Sequence, residues 1–196
     1  MPRRRPTGWS SQSPGRVFNF VTMSVTEPSH VSMPEADGGA SARAASAPWD
    51  YPNPHLISLE VVASDIDAYN HVNNSVYLSW FDRVAWSHSA SLGISLEECI
   101  RIRRGMAAHR AEIDYQRAAI LGDRVAVATW IISTDKKLRV ERRFQVRRAP
   151  DGETLARART DYVCINLDSG RACRMPESFA NSYITTTGVS GPRGTG

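Results

Sequence analysis

The stretch DIDAYNHVNNSVY, Asp65 to Tyr77, places two carboxylates, one histidine and three asparagines within thirteen residues. Directly behind it the pattern turns apolar with a helical period. Val76, Tyr77, Trp80, Phe81, Val84, Ala85 and His88 recur at i, i+1, i+4, i+5, i+8, i+9 and i+12, which is one stripe of a helix. Asn73 or Asn74 suits the N-cap, and Gly93 suits the stop about five turns later. A polar, ionisable loop therefore runs straight into a helix N-terminus. The first-turn N–H groups have no partner inside the helix, and with the helix dipole they favour a carbonyl oxygen or oxyanion. A carboxylate beside them can act as base or nucleophile.

Outward from this stretch, His55–Ala63 reads as a strand rich in β-branched residues. On the other side, Ser95-Leu-Glu-Glu98 is a capping box. It opens a short helix to about Arg103, with Gly105 expected to end it. The remainder alternates with period 2 in four runs, Met106–Gln116, Arg124–Ser133, Lys137–Arg148 and Glu153–Leu167. In the third run Arg142 interrupts the apolar series of Leu138, Val140, Phe144 and Val146. Turn residues at 121–123, 134–136 and 150–152 join the runs as hairpins. The order predicts an α+β fold, an antiparallel sheet of about five strands against one long helix. The other face of such a sheet, or an edge strand, needs cover, which a second copy can supply.

The chain has 196 residues and a formal net charge of +4, and residues 51–180 hold 18 basic and 16 acidic residues. So nearly neutral a centre carries no nucleic-acid footprint. Cys99, Cys164 and Cys173 form no CxxC pair, which fits reduced thiols in a cytoplasmic protein. No apolar run is long enough to span a membrane. Residues 1–50 are rich in Pro, Ser, Ala and Gly and are expected to be a disordered tail. The domain is expected over 51–180, and 181–196 as a second flexible tail. The first 26 residues contain Arg3, Arg4, Arg5 and Arg16 and no acid. That composition also suits a transit peptide to an organelle matrix. The simpler reading is an unstructured tail, or an upstream start with Met23 as the true first residue.

DIDAYNHVNNSVYLSW resembles the motif of the 4-hydroxybenzoyl-CoA thioesterase group and its relatives, the bacterial long-chain acyl-CoA and plant acyl-ACP thioesterases. The shared pattern D-x-D-x-x-x-H-V-N-N-x-x-Y is met without a gap from Asp65 to Tyr77. The likeness continues through IDYQRAAILGDRV (Ile113–Val125) and LARARTDYVCINL (Leu155–Leu167) to Arg174-Met-Pro176. It implies a hot-dog fold, a sheet wrapped around one long central helix, and an acyl-CoA substrate hydrolysed by a homodimer or homotetramer with sites at the subunit interface.

By the same resemblance, Asp67 is the catalytic carboxylate, as general base or nucleophile, and the Asn74 N–H polarises the thioester carbonyl. His71 either orients water or leaving group, or pins the loop. The plant branch carries Asn two residues before this His; here Tyr69 stands there, as suits the bacterial acyl-CoA branch. Tyr69, Asn73 and Tyr77 are expected substrate contacts, with Asn73 also a candidate cap. Lys136 and Lys137 are expected near the CoA phosphates. Asp65 is expected to hold the loop through backbone N–H groups. No metal-ligand set, glycine-rich phosphate loop or G-x-S-x-G elbow is present, so no cofactor is expected. An acyl-carrier-protein thioesterase and a non-catalytic acyl-CoA-binding protein are the competing readings.

Overall fold

A computed structural model describes residues 49–186. The elements run β1 (His55–Glu60), α1 (Asn74–Ser91), α2 (Leu96–Ile102), β2 (Arg104–Tyr115), β3 (Arg124–Thr134), β4 (Arg139–Arg148), β5 (Thr154–Asn166) and α3 (Glu177–Ser182). The strands form one antiparallel sheet in the order β1-β3-β4-β5-β2. From β1 to β5 this is the predicted α+β order; α3 is an element that the sequence reading does not contain. The turns at 134–136 and 150–152 make the expected hairpins β3–β4 and β4–β5, but the turn at 121–123 does not: β2 lies at the opposite edge against β5, and β1 takes the place beside β3.

The core lies between α1 and one face of the sheet. Tyr77, Trp80, Phe81, Val84 and Ala85 are buried on the helix, the stripe that the 3.6 period marks out. They meet Val127, Phe144, Val146, Ala156 and Ala158, which the strand alternation sends to the same face. Phe81 and Phe144 are in ring contact, with centroids 5.0 Å apart. Gly93 ends α1 at φ +83, and its N–H donates to the Ala90 oxygen at 2.9 Å. A left-handed residue after the last turn is what a glycine there provides.

The second helix ends differently from the expectation. Arg103, at φ 55, is its left-handed cap. Gly105 already lies in β2, and a Cβ there would stand 3.1 Å from Leu167 Cδ2. The glycine serves close packing in the strand instead of stopping the helix.

Both expected tails shorten. Trp49 and Tyr51 cover Trp130 on the sheet face away from α1, with ring centroids at 6.1 and 5.4 Å. The Trp130 indole N–H donates to the Pro52 oxygen at 3.0 Å, and Asp50 pairs with Arg157 at 2.6 Å. At the other end, Tyr183 is buried and the Thr186 N–H donates to the Ile131 oxygen at 2.9 Å. The folded unit therefore begins before residue 51 and continues past 180. The disorder expected over 1–48 and the flexibility expected over 187–196 fall outside the described residues.

Truncating Phe144 removes a 2 % exposed ring from the centre of this core. Phe144→Ala should cost about 3–5 kcal/mol, measured as a shifted midpoint in urea denaturation.

Candidate active site

The Asp67 loop is a tight hairpin whose neck is the bridge between Ile66 and Val72. Its backbone is tied by the Asp67 N–H to the His71 oxygen at 2.8 Å and the Asn70 N–H to the Asp67 oxygen at 3.1 Å. Asn70 turns the chain at φ 62, a conformation asparagine tolerates. The Asp67 carboxylate closes the turn. Its Oδ1 accepts the Tyr69 N–H at 2.8 Å and the His71 N–H at 3.3 Å. Oδ2 has no hydrogen-bond partner among the described residues.

Asp65 braces the loop from the other side. Its carboxylate accepts the Val62 N–H at 3.1 Å and its carbonyl accepts the Asn73 N–H at 2.8 Å. This is the structural part expected of it. Asn73 is the N-cap of α1: its Oδ1 accepts the Ser75 N–H at 2.9 Å and the Ser75 hydroxyl at 2.8 Å. The Val76 N–H goes to the Asn73 oxygen at 2.9 Å. The Asn74 N–H, next to the cap, has no partner among the described residues. A free N–H at the start of an 18-residue helix is a ready oxyanion donor.

Three contacts hold this helix start against the sheet. The Val72 N–H donates to the Ala119 oxygen at 2.9 Å. The Ala119 N–H donates to the Tyr77 hydroxyl at 3.2 Å. The Tyr115 hydroxyl, at the end of β2, donates to the Asn74 oxygen at 3.0 Å. Tyr115 stands edge-on to Tyr77 with centroids 5.3 Å apart. Tyr115 was not singled out in the sequence; its alternation in a strand marks only a face, and the partner is 41 residues away.

The expected site residues therefore divide. Asp67, His71, Asn73 and Asn74 gather around the N-terminus of α1. His71 ties the loop through its backbone, and its side chain is exposed. Tyr69 is 81 % exposed at the loop tip. Tyr77 is not at the surface: it is 2 % exposed and anchors the helix to the loop before β3. Lys136 and Lys137 form the turn after β3, whose carboxylate Asp135 caps three successive N–H groups. β3 spans eleven residues, roughly 33 Å, and the Asp67 loop adjoins its other end. Within one chain the two lysines do not share a pocket with Asp67.

A second polar cluster lies toward the C-terminal end of the same helix. Arg142, on the α1-facing side of β4, is 3 % exposed. Its Nη1 is 2.9 Å from His88 Nδ1 and its Nη2 donates to Ser89 Oγ at 3.0 Å. Its guanidinium lies 5.7 Å from the centre of the Tyr183 ring, and the Tyr183 hydroxyl is 3.2 Å from Ser89 Oγ. The sequence marks Arg142 only as an interruption in an apolar series. Burial, then Arg142, then His55 lower the His88 pKa to about 4, so the imidazole is neutral at pH 7 and Nδ1 accepts from the arginine. The described residues contain no cluster of metal-ligating side chains.

Two outcomes follow from this geometry. Asn73→Ala, which removes the cap, should destabilise the protein by about 1 kcal/mol in urea denaturation. The His88 proton is bound near pH 6.5 in the unfolded chain and only near pH 4 in the folded one. The stability attached to the neutral ring is complete above about pH 6.5 and is lost as pH falls toward 4. His88→Gln should flatten that acid limb in a series of melts; an unchanged limb would assign it to other groups.

The family profile described as the thioesterase-like superfamily matches residues 61–182. Among curated proteins, the long-chain acyl-CoA thioesterase FadM of Escherichia coli (strain K12) is 25 % identical over 121 residues, 58 % of this chain and 85 % of that protein. The 1,4-dihydroxy-2-naphthoyl-CoA thioesterase of Synechocystis superposes with a TM-score of 0.60 at 23 % identity, covering 67 % of this chain and 96 % of that one. A hypothetical protein of Staphylococcus aureus, solved in complex with CoA, gives 0.64 at 22 % identity, covering 74 % and 94 %. The structural likenesses establish the fold. The profile match runs from the end of β1 through α3, across every element that positions the loop and the helix start; on that extent the chain belongs to the thioesterase-like superfamily, as a thioester hydrolase of the hot-dog fold.

Proposed function

We propose that the protein hydrolyses acyl-CoA thioesters to the free acid and CoA, with Asp67 as the acting carboxylate and the Asn74 N–H as the carbonyl-polarising donor. The observation that carries this is the division of labour at the helix start. One oxygen of Asp67 is locked by two backbone N–H groups, while the other carries no bond among the described residues, and the Asn74 N–H at the start of α1 is also without a partner among them. The substrate class is supported by the CoA complex of the S. aureus relative and by the name of the E. coli one.

In this reading the thioester oxygen sits on the Asn74 N–H at the positive end of α1. Negative charge building on that oxygen in the tetrahedral intermediate is stabilised there, an effect typically worth about 3–4 kcal/mol for one such donor. Oδ2 of Asp67 either takes a proton from the attacking water or attacks the carbonyl itself, giving a mixed anhydride that water then opens. In both routes the CoA sulfur leaves as a thiolate, and the proton given up by the water passes to it or to solvent, which returns Asp67 to its carboxylate.

The active species is proposed to be a homodimer or homotetramer. The long edge strand β2 supports this: Ala108–Glu112 are exposed, and among the described residues the strand pairs with β5 alone. An uncovered edge of that length invites a second copy. Lys136 and Lys137 can then serve only a site completed by another subunit.

Asp67→Asn keeps the side-chain acceptor that holds the turn and removes the charge. Thiol release from a panel of acyl-CoAs should fall by about 10³-fold or more in kcat, with the thermal midpoint nearly unchanged. Equal rates in the two proteins would discard Asp67 as the acting group.

A further inference from the structure

The Arg142 cluster is unused by the chemistry at the helix start. It forms the floor of a cleft lined by Asp82, Trp86, Ser89, Met106, Tyr162 and Tyr183. Its free space is about 30 Å³, roughly twice what one water needs. Arg142 is almost fully buried, yet it makes no ion pair among the described residues. Its hydrogen-bond partners, His88 and Ser89, and the Tyr183 hydroxyl that adds to them are neutral, and they leave some of its five N–H donors free. Asp82 lines the cleft too, and burial raises its carboxyl pKa, but it makes no ion pair with Arg142. A buried guanidinium with no carboxylate is unusual, because buried charges are normally paired.

The cleft is connected to the proposed reaction centre by α1 itself. Asn74, Leu78, Asp82 and Trp86 follow one another at i+4 and so form a single ridge. Leu78 is 49 % and Trp86 37 % exposed, large apolar side chains left uncovered on that ridge. From Asn74 to Asp82 the helix rises about 12 Å, and to Trp86 about 18 Å. An extended acyl chain whose carbonyl sits on the Asn74 N–H can lie along this ridge with its far end at the cleft.

We propose that the Arg142 cleft is a carboxylate subsite for the far end of the acyl group, so that the preferred substrates are CoA monothioesters of medium-chain dicarboxylic acids. This rests on the thioesterase reading above. The distal carboxylate takes the free guanidinium N–H groups of Arg142 in charge-assisted hydrogen bonds. The methylene chain covers Leu78 and Trp86. Asp82 at the cleft opposes a second negative charge and so tempers the affinity.

The test compares dodecanedioyl-CoA with dodecanoyl-CoA. Wild type should favour the carboxylated substrate in kcat/KM by about 10- to 100-fold, mostly through KM. Arg142→Met should bring that ratio to about one. Because losing a buried arginine risks the fold, Asp82→Asn provides a second arm: it should raise the ratio, by removing the opposing charge. Titration calorimetry with free dodecanedioate and with free dodecanoate reads the subsite without any turnover. Tighter binding of the dicarboxylate, strengthened by Asp82→Asn, supports the subsite even if no CoA ester is hydrolysed, an outcome that would overturn only the thioesterase reading. Hydrolysis with no preference for the carboxylated chain, or a ratio that Asp82→Asn leaves unchanged, overturns the subsite. So does an Arg142→Met protein that keeps its preference but changes its oligomeric state, since the arginine would then serve a subunit contact.

Discussion

The hydrogen bond from the Ala119 N–H to the buried Tyr77 hydroxyl joins the first turn of α1 to the loop that precedes β3. Around it stand the Val72–Ala119 backbone bond and the Tyr115–Asn74 bond. The position of the helix start depends on these contacts, because the apolar stripe that follows it presses the helix on the sheet without fixing where its first turn lies. Dispersion and burial press the helix on the sheet without direction; the three polar contacts choose where its N-terminus points. The tyrosine hydroxyl has to find a partner once it is buried, so packing and polar satisfaction are met by one side chain.

That constraint explains why the loop can be so polar without being loose. Asp65, Asp67 and Asn73 spend their side-chain acceptors on local N–H groups, which replaces the hydrogen bonds that regular structure would have supplied. Among what remains unspent are the Oδ2 oxygen of Asp67 and the Asn74 N–H. Local satisfaction of the other groups makes these two available without leaving a mobile loop around them. Catalysis by a preorganised dipole needs that rigidity, since reorientation during the reaction would consume the gain.

The same helix has a second polar end. Burying Arg142 beneath α1 forfeits its hydration, a cost of several kcal/mol for an ion in a protein interior. Neutral partners recover part of it: the lowered pKa of His88 keeps Nδ1 an acceptor, and the face of Tyr183 adds a cation–π contact. The C-terminal segment is therefore drawn into the fold by a polar centre as well as by the apolar contact of Phe179 and Tyr183. A chain ending at residue 180 would leave the guanidinium without that cover.

The sequence alone determined the order of elements from β1 to β5, the buried stripe of α1, its start at Asn73–Asn74 and its stop at Gly93. These follow from short-range periodicity and from caps, whose partners lie within a few residues. It also marked the Asp67 loop as the polar centre, because unusual side chains there crowd one short stretch. Only the tertiary structure decided which of those side chains face solvent. Tyr77 looked like a contact residue, yet the helix turns it inward onto Ala119. Lys136 and Lys137 stand at the far end of β3 from Asp67, a separation that the sequence does not show. The roles of Trp49, Arg142 and Tyr183 depend on partners 81, 54 and 94 residues away, Trp130, His88 and Ser89 respectively. Such distances carry no local pattern; they are set by strand order and by the need to cover whatever the sheet leaves exposed.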